Sequence, residues 1–289
     1  MKEKFDLNDP AIKSAVSIYV NKIEEAFRVP QTVEKAVLPI YAILQKNGKL
    51  KNVPQQIGSG VLVKLRNEYF IFSASHVFDG IKNYRLLTGG GDNSEILSLP
   101  GDRFSSLRGN SGTHNDDPID ASVFHIKSTI PDYLKAIALT PNDFDFSHSD
   151  NSRPIFMAVG FRAKKSKNKG NSIFSVRESF PSTELHPDGY SINKIDHKIH
   201  MALACEKQII IDNRWNLAPQ LNGISGGAIV KISGISVYKP SEEKPKQLLS
   251  AITIQQLPET NMSSGILLGT RLSVHLGLIK KYLPDLFSL

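Results

Sequence analysis

Three short motifs along the chain carry side chains that could together perform acyl transfer. One of them, Gly223-Ile224-Ser225-Gly226-Gly227, holds a serine between glycines directly before an apolar run. A serine hydroxyl is a weak nucleophile that needs a general base and a place for developing negative charge. Glycines beside it allow the backbone to turn sharply and to direct N–H groups at one point. His76 and Asp120 stand upstream in the other two motifs and could supply the base and its orienting acid.

Each motif is weak when taken alone. A Gly-x-Ser-Gly-Gly segment suits any tight loop of a β protein, His76 could belong to a packed core, and Asp120 could simply begin a strand. Their joint order along the chain is what predicts a His-Asp-Ser triad. The separations between positions 76, 120 and 225 leave room for one set of strands on each side of a cleft.

Asp116 and Asp117 lie close to Asp120 and are rival acids. We prefer Asp120 because it directly precedes the apolar run at residues 121–124, which places it at the edge of a strand. The alternative for Asp116 and Asp117 is an exposed loop.

A second group of side chains invites a zinc interpretation, because Asp196, His197 and His200 stand near Cys205. On the strand predicted there, alternation sends the two histidines to opposite faces, which disfavours shared ligation. Cys205 follows an apolar segment and is interpreted as a small buried residue, not a nucleophile. The sequence therefore predicts neither a metal site nor a cofactor. The other histidines have no supporting context, namely His114, His125, His148, His186 and His275.

The composition is that of an ordinary globular protein of 289 residues, 40% hydrophobic and 22% charged. Short runs rich in Val, Ile and Phe lie between turn residues, which favours β structure. A single cysteine excludes an intramolecular disulfide and favours a reducing, cytoplasmic setting. We see no signal peptide and no run of about eighteen apolar residues, so we expect no membrane association.

The net charge of +7 could favour an acidic partner. The densest basic run, at residues 162–170, lacks interleaved aromatics and is interpreted as a solvated loop. A nucleic-acid partner is therefore not favoured.

Two sets of strands are predicted to position the motifs. The first begins near Ala36, ends near residue 127 and holds about six strands, enough for a small barrel. A polar linker at residues 140–153 precedes the second set, which continues to Gly269.

A helix is predicted at each end of the chain, at residues 8–28 and at residues 274–282. Packing of the first helix on the main body is favoured over a regulatory or partner-docking arm. Asn8 or Asp9 can cap it, and its apolar stripe comprises Ile12, Val16, Tyr19, Ile23 and Phe27.

The whole pattern resembles the chymotrypsin-like (trypsin-like) serine peptidases, in the style of the disulfide-free bacterial members. The resemblance covers residues 35–285 and is carried by residues 58–62, 73–77, 120–126 and 223–230. It implies an all-β double barrel with the active site between the barrels. The implied parts are an N-terminal helical extension (1–34), a first β-barrel (35–140) and a second β-barrel with a C-terminal helix (141–289).

The resemblance also implies a role for each residue. Ser225 would attack a peptide carbonyl, His76 would move the proton, and Asp120 would orient the imidazole. The N–H groups of Gly223 and Ser225 would form the oxyanion hole. The substrate would contact Gln220, Leu221, Asn222, Thr253, Ile254 and Gln255.

Two departures from the family pattern bear on specificity and control. Pro219 stands where trypsin itself has the acid that binds basic side chains, so we expect a neutral residue before the cleaved bond. Ile224 replaces the aspartate that in many secreted members pairs with a new N terminus. Activation by N-terminal cleavage is therefore not expected.

These observations predict a cytoplasmic serine endopeptidase of bacterial type that cuts a specific protein target. Control would act through loops or through a regulatory protein partner, by analogy with family members in stress or anti-phage systems. The alternative is a protein-binding module that kept the fold and lost turnover. An esterase is least favoured because nothing suggests a lipid-binding lid.

Overall fold

Antiparallel β structure with a helix near each end makes up the chain in the computed structural model. This confirms the predicted all-β fold class and is compatible with a double β-barrel. The structure describes residues 6, 8–43, 45–46, 49–50, 54–79, 81, 85–89, 96–147, 153–169, 172–206, 208–211, 214–218, 221, 223–236, 242–259 and 265–288.

The first half forms a closed barrel from six strands, as predicted. The strands of this half are β1 (Val37–Ala42), β2 (Gln45–Lys46), β3 (Lys49–Leu50), β4 (Gln55–Leu65), β5 (Glu68–Ser73), β6 (Arg85–Gly89), β7 (Ile96–Ser105) and β8 (Ser122–Ile126). The barrel order is β1-β4-β5-β8-β7-β6, and β2 and β3 pair only with each other. The barrel closes where Ile40 and Tyr41 of β1 pair with Thr88 and Leu87 of β6, so each barrel strand has a neighbour on both sides.

The second half is built on another six-stranded antiparallel sheet. Its strands are β9 (Pro154–Phe161), β10 (Lys167–Lys169), β11 (Ser172–Phe174), β12 (Arg177–Ser182), β13 (His200–Ala204), β14 (Gln208–Ile211), β15 (Arg214–Leu217), β16 (Ala228–Ser236), β17 (Lys246–Leu257) and β18 (Ile266–Arg271). The sheet order is β12-β9-β16-β17-β18-β13, while β10–β11 and β14–β15 are separate hairpins.

The two edges of this second sheet meet. Residues directly after β12 bond to β13, since the Leu185 N–H donates to Ala202 O and the Ala204 N–H donates to Thr183 O, both at 2.9 Å. The sheet therefore curls round toward a barrel. Sequence reasoning missed β12, because its sequence is polar and contains Pro181; an edge strand tolerates proline, and β12 pairs only with β9.

The described helices are α1 (Pro10–Phe27), α2 (Thr32–Ala36), α3 (Ser75–Asp79), α4 (Asp132–Ile137), α5 (Pro187–Ile192) and α6 (Leu272–Tyr282). Asp9 is the cap of α1, because its carboxylate accepts the Ala11 N–H at 2.7 Å. Four residues of the predicted α1 stripe are partly buried, namely Ile12, Val16, Tyr19 and Ile23. Phe27 is 43% exposed instead, and the buried residue of the helix is Ala26, outside the stripe. Within the part of the chain that the structure describes, no helix is both long and apolar enough to cross a bilayer.

The N-terminal segment is tied to the second sheet through α2. The Gln247 amide oxygen accepts the N–H groups of Val33 and Glu34 at 3.1 and 3.2 Å. Its amide nitrogen donates to the buried Glu34 carboxylate at 2.6 Å. These contacts agree with packing of the N-terminal region on the main body.

One hydrophobic core is shared by the two halves. Val61 and Phe72 of the first barrel belong to the same buried cluster as Val159 and Val230 of the second sheet, and Ile279 of α6 joins them. Burial of this apolar surface holds the halves together, and the cleft between them lies at the edge of that contact.

Candidate active site

A cavity of about 1070 Å³ between the two halves brings together His76, Asp120 and Ser225, the three residues of the predicted triad. Most of the other predicted site residues line the same cavity, namely Leu221, Gly223, Thr253, Ile254 and Gln255. Gln220 and Asn222 lie outside the described residues. A fold that collects residues from distant motifs in one cavity provides the arrangement that cooperative chemistry needs.

His76 is oriented by two hydrogen bonds to Asp120. Its Nδ1 lies 2.6 Å from Asp120 Oδ2, and its backbone N–H donates to Oδ1 at 2.9 Å. A carboxylate only accepts, so Nδ1 carries the proton and Nε2 remains available to accept another. The Asp120 side chain is 8% exposed and the imidazole 29%, so the acid is buried behind a base that reaches the cavity.

His76 lies just beyond the hairpin formed by β4 and β5. β5 ends at Ser73, and the histidine lies in the short helix α3 that follows. The helical turn directs both the N–H and the ring of His76 toward Asp120, which a continuing strand would not do.

Asp120 has an unusual backbone, with φ at +49°. For a residue with a Cβ atom this left-handed region is strained and persists only where the surroundings enforce it. Here the Ser75 N–H donates to Asp120 O at 3.3 Å, and the Thr270 hydroxyl of β18 donates to Ile119 O. The acid is therefore held by α3 on one side and by the second half on the other.

The rival acids have other partners. Asp117 is buried, contrary to the exposed loop expected for it, and it accepts the Ser106 hydroxyl and the Ile119 N–H. Asp116 is exposed, and hydrogen bonds from Ser111 lower the pKa of its carboxyl. Both acids organise the loop that leads to Asp120.

The loop around Ser225 depends on glycines at two positions. The Ile224 N–H donates to Leu221 O at 3.1 Å, which closes a turn whose third residue, Gly223, has φ at +93°. A residue that adopts positive φ is needed at this position of the turn, and glycine does so without strain. Gly226 has φ at +82°, and a Cβ atom there would lie 2.0 Å from Ser59 O. A side chain at either position would displace the serine.

Ser59 of β4 connects the first barrel to this loop, which sequence reasoning did not foresee. Its N–H donates to Ser225 O at 2.8 Å, and its hydroxyl lies 3.4 Å from Gly223 O and accepts the Phe161 N–H at 2.9 Å. Its carbonyl accepts the Ser73 hydroxyl at 2.8 Å. The Gly-Ser-Gly segment at residues 58–60 was the only available signal.

The Ser225 hydroxyl donates to Ile254 O at 3.1 Å. Ile254 is the extra residue of a bulge in β17, since Thr253 pairs with Gly269 and Gln255 with Leu268. Bulges re-aim groups beside functional sites, and this one turns a carbonyl toward the serine. Among the described residues Ser225 makes no hydrogen bond to His76, so in this conformation its hydroxyl proton is directed at Ile254 O and not at the imidazole.

Two N–H groups border the cavity beside this hydroxyl. Within the described part of the chain, no acceptor takes the N–H of Gly223 or of Ser225. Both residues line the cavity. Such donors could stabilise an oxyanion that forms on a bound carbonyl.

The far wall of the cavity contains groups that sequence reasoning did not assign to it. The Gln256 amide accepts the Leu221 N–H and donates to Cys205 Sγ, both at 3.3 Å. Burial raises the pKa of the Cys205 thiol, so the thiol stays protonated and is a poor nucleophile. The described lining has no lysine or arginine and includes Glu206 and Glu259.

The described residues do not form the zinc site that the sequence invited. His197 lies in an exposed turn and not on the predicted strand, whereas His200 begins β13 and is buried. Among the described residues, no three His, Cys, Asp or Glu side chains are grouped as a metal site requires.

Comparison with known proteins gives this chain no family: no family model matches it, and no curated protein is significantly similar to it. Any functional interpretation therefore depends on the cavity itself, in which an imidazole oriented by a buried carboxylate shares a wall with a serine at a glycine turn.

Proposed function

We propose that the protein is a serine endopeptidase that hydrolyses peptide bonds through His76, Asp120 and Ser225. The observation that carries the proposal is the bidentate contact of Asp120 with His76, in the same cavity as Ser225. This contact fixes the tautomer that a general base needs.

The proposed reaction proceeds in two halves. Ser225 Oγ attacks the peptide carbonyl carbon while its proton moves to His76 Nε2, and the N–H groups of Gly223 and Ser225 stabilise the oxyanion. The carbon–nitrogen bond then breaks, the proton passes from Nε2 to the leaving amine, and an acyl-enzyme remains. Water, deprotonated by His76, attacks the ester and releases Ser225.

The substrate would be a protein or peptide with a neutral residue before the cleaved bond. The residues expected to contact the substrate, Leu221, Thr253, Ile254 and Gln255, all line the cavity and are themselves uncharged. The residue before Ser225 is Ile224, which is 2% exposed. It has no carboxylate and therefore offers no acid to a new N terminus. We therefore propose control by loops or by a regulatory protein partner in the cytoplasm, with a role in stress or anti-phage defence suggested by resemblance alone.

The second candidate is a protein-binding module without turnover. The observation that favours it is the bond from the Ser225 hydroxyl to Ile254 O, which occupies the proton that His76 would take.

The two functions are separated by intact-mass analysis after treatment with a fluorophosphonate, which reacts with activated serines. A peptidase gives a single adduct on the wild type, none on Ser225→Ala, and much slower addition on His76→Ala. Ser191→Ala, which removes an exposed serine of α5 outside the cavity, should react as the wild type does. A folded wild-type protein without an adduct would contradict the peptidase and favour the binding module.

A further inference from the structure

Helix α3 and the loop that precedes Asp120 are joined by two crossed histidine–aspartate pairs. In one, His76 of α3 binds Asp120 of the loop. In the other, His114 of the loop binds Asp79 of α3, with Nδ1 at 2.7 Å from Oδ1 and its backbone N–H at 3.1 Å from Oδ2. Each carboxylate thus faces both the N–H and the ring Nδ1 of a single histidine, and each element contributes one histidine and one aspartate.

The second pair is buried and has partners on every side. His114 is 3% exposed, and its Nε2 lies 3.2 Å from Ser106 O. A carbonyl and a carboxylate only accept, so both partners are satisfied only when both ring nitrogens carry a proton. Arg103 places its guanidinium 3.8 Å from Asp79 and donates to Phe78 O at 2.7 Å.

These contacts also keep Asp79 ionised. Its partial burial would raise the pKa, but the hydrogen bonds from His114 and the charges of His114 and Arg103 outweigh that effect and lower it.

Ser106 carries the connection from this pair to Asp120. Its carbonyl faces His114, while its hydroxyl accepts the Ala121 N–H at 3.0 Å and donates to Asp117. Ala121, which follows Asp120, and Asp117, three residues before it, are therefore both bonded to one serine that His114 itself contacts. The left-handed φ of Asp120 is less costly for aspartate than for most residues, and these long-range contacts hold it in place.

We infer that Asp79 and His114 are positioning residues for the His76–Asp120 pair. They clamp α3 against the loop at residues 106–119, so that Asp120 keeps its left-handed backbone and both hydrogen bonds to His76. Neither residue lines the cavity as described, so neither touches a substrate there. The effect on catalysis rests on the proposed function, whereas the effect on the geometry of the pair does not.

The test is Asp79→Asn, and the chain offers a matched control in Glu68→Gln. Glu68 lies 2.7 Å from His125 Nε2 in a pair that joins β5 to β8 of the same barrel, outside the loop. Each substitution removes one carboxylate charge from a histidine pair and keeps the size of the side chain. Two readouts are compared, the rate of fluorophosphonate addition to Ser225 and the proton resonance of His76 Nδ1.

We expect Asp79→Asn to slow the addition about ten- to a hundredfold, since small misplacements of a catalytic group cost that much. The Nδ1 resonance should shift upfield or broaden by faster exchange with water. Glu68→Gln should keep the wild-type resonance and a rate within about twofold of the wild type. His114→Gln is a milder second variant, because it can still donate to Asp79 but loses Ser106; it should change both readouts in the same direction.

A wild-type rate and an unchanged His76 resonance in folded Asp79→Asn or His114→Gln would overturn the inference, as would equal losses in Glu68→Gln. If the wild type takes no adduct, the proposed peptidase fails, and the resonance measured in the same variants still decides whether the clamp positions the pair.

Discussion

Replacing Gly226 by alanine tests whether the serine loop is packed as described. Gly226 has φ at +82°, where a Cβ atom costs about 1–2 kcal/mol. That atom would also lie 2.0 Å from Ser59 O and 2.2 Å from Ser73 Oγ, whereas ordinary contacts begin near 3.4 Å. Because Ser59 O belongs to backbone, the loop itself must move by at least about 1 Å, and such overpacking costs about 1–3 kcal/mol more.

Gly226→Ala should therefore lose about 2–5 kcal/mol of unfolding free energy in urea titrations. Ser225 is its immediate neighbour, so fluorophosphonate addition to the folded variant should slow about a hundredfold or more.

Two other glycines separate the cost of the backbone conformation from the cost of the steric contact with Ser59. Gly112 has φ at +74° with nothing within 4 Å of its Cβ position, so Gly112→Ala should cost only the backbone term, about 1–2 kcal/mol, at an unchanged rate of addition. Gly277 lies in α6 with open space around it, so Gly277→Ala should stabilise the protein by about 1 kcal/mol. If Gly226→Ala behaves like Gly112→Ala in both stability and reactivity, the described contact with Ser59 does not exist.

Three further substitutions address acid stability, the tautomer and the link between the halves. Burial lowers the pKa of His275 to about 4, so between pH 6.5 and pH 4 the unfolded chain binds a proton that the folded chain does not bind. The free energy of unfolding should therefore fall by about 3 kcal/mol over this range. Urea titrations of His275→Gln should lack this pH dependence. Asp120→Asn should retain the fold but slow fluorophosphonate addition by up to about 10⁴-fold, because the amide favours the wrong tautomer of His76; near wild-type rates would exclude the triad. Ser59→Ala leaves the buried Phe161 N–H without its acceptor and should lower the free energy of unfolding by about 1–3 kcal/mol, measured by thermal unfolding. An unchanged melting temperature would show that the hydrogen bond from Phe161 to Ser59 contributes little to stability.

Much of the first barrel could be predicted because apolar runs alternate with turn residues along it. β4 and β5 form a hairpin at residues 66–67, where the sequence placed a turn. Strand β12 escaped detection because an edge strand needs neither a continuous apolar run nor a full set of N–H donors. The apolar residues at 173–174 likewise belong to the short β11, which pairs with β10 and not with the large sheet.

The three central residues of the candidate site could be predicted from the sequence, but the residues that hold them in position could not. The order of His76, Asp120 and Ser225 sufficed to select them, since chemistry limits which residue types can act together. His114 had no sequence context, because its partner Asp79 is 35 residues away and only the fold brings the two together. The positive φ of Asp120 is likewise a long-range effect that no local preference of aspartate dictates.

The site is assembled by hydrogen bonds that cross between the halves. Ser59 N–H reaches Ser225 O, and the Thr270 hydroxyl reaches Ile119 O beside Asp120. His76 and Asp120 both come from the first half, whereas the position of Ser225 relative to them depends on contacts between the halves. For the proposed reaction, the Ser225 hydroxyl would have to rotate away from Ile254 O toward His76. A bound peptide whose N–H takes Ile254 O would remove the competing acceptor and favour that rotation.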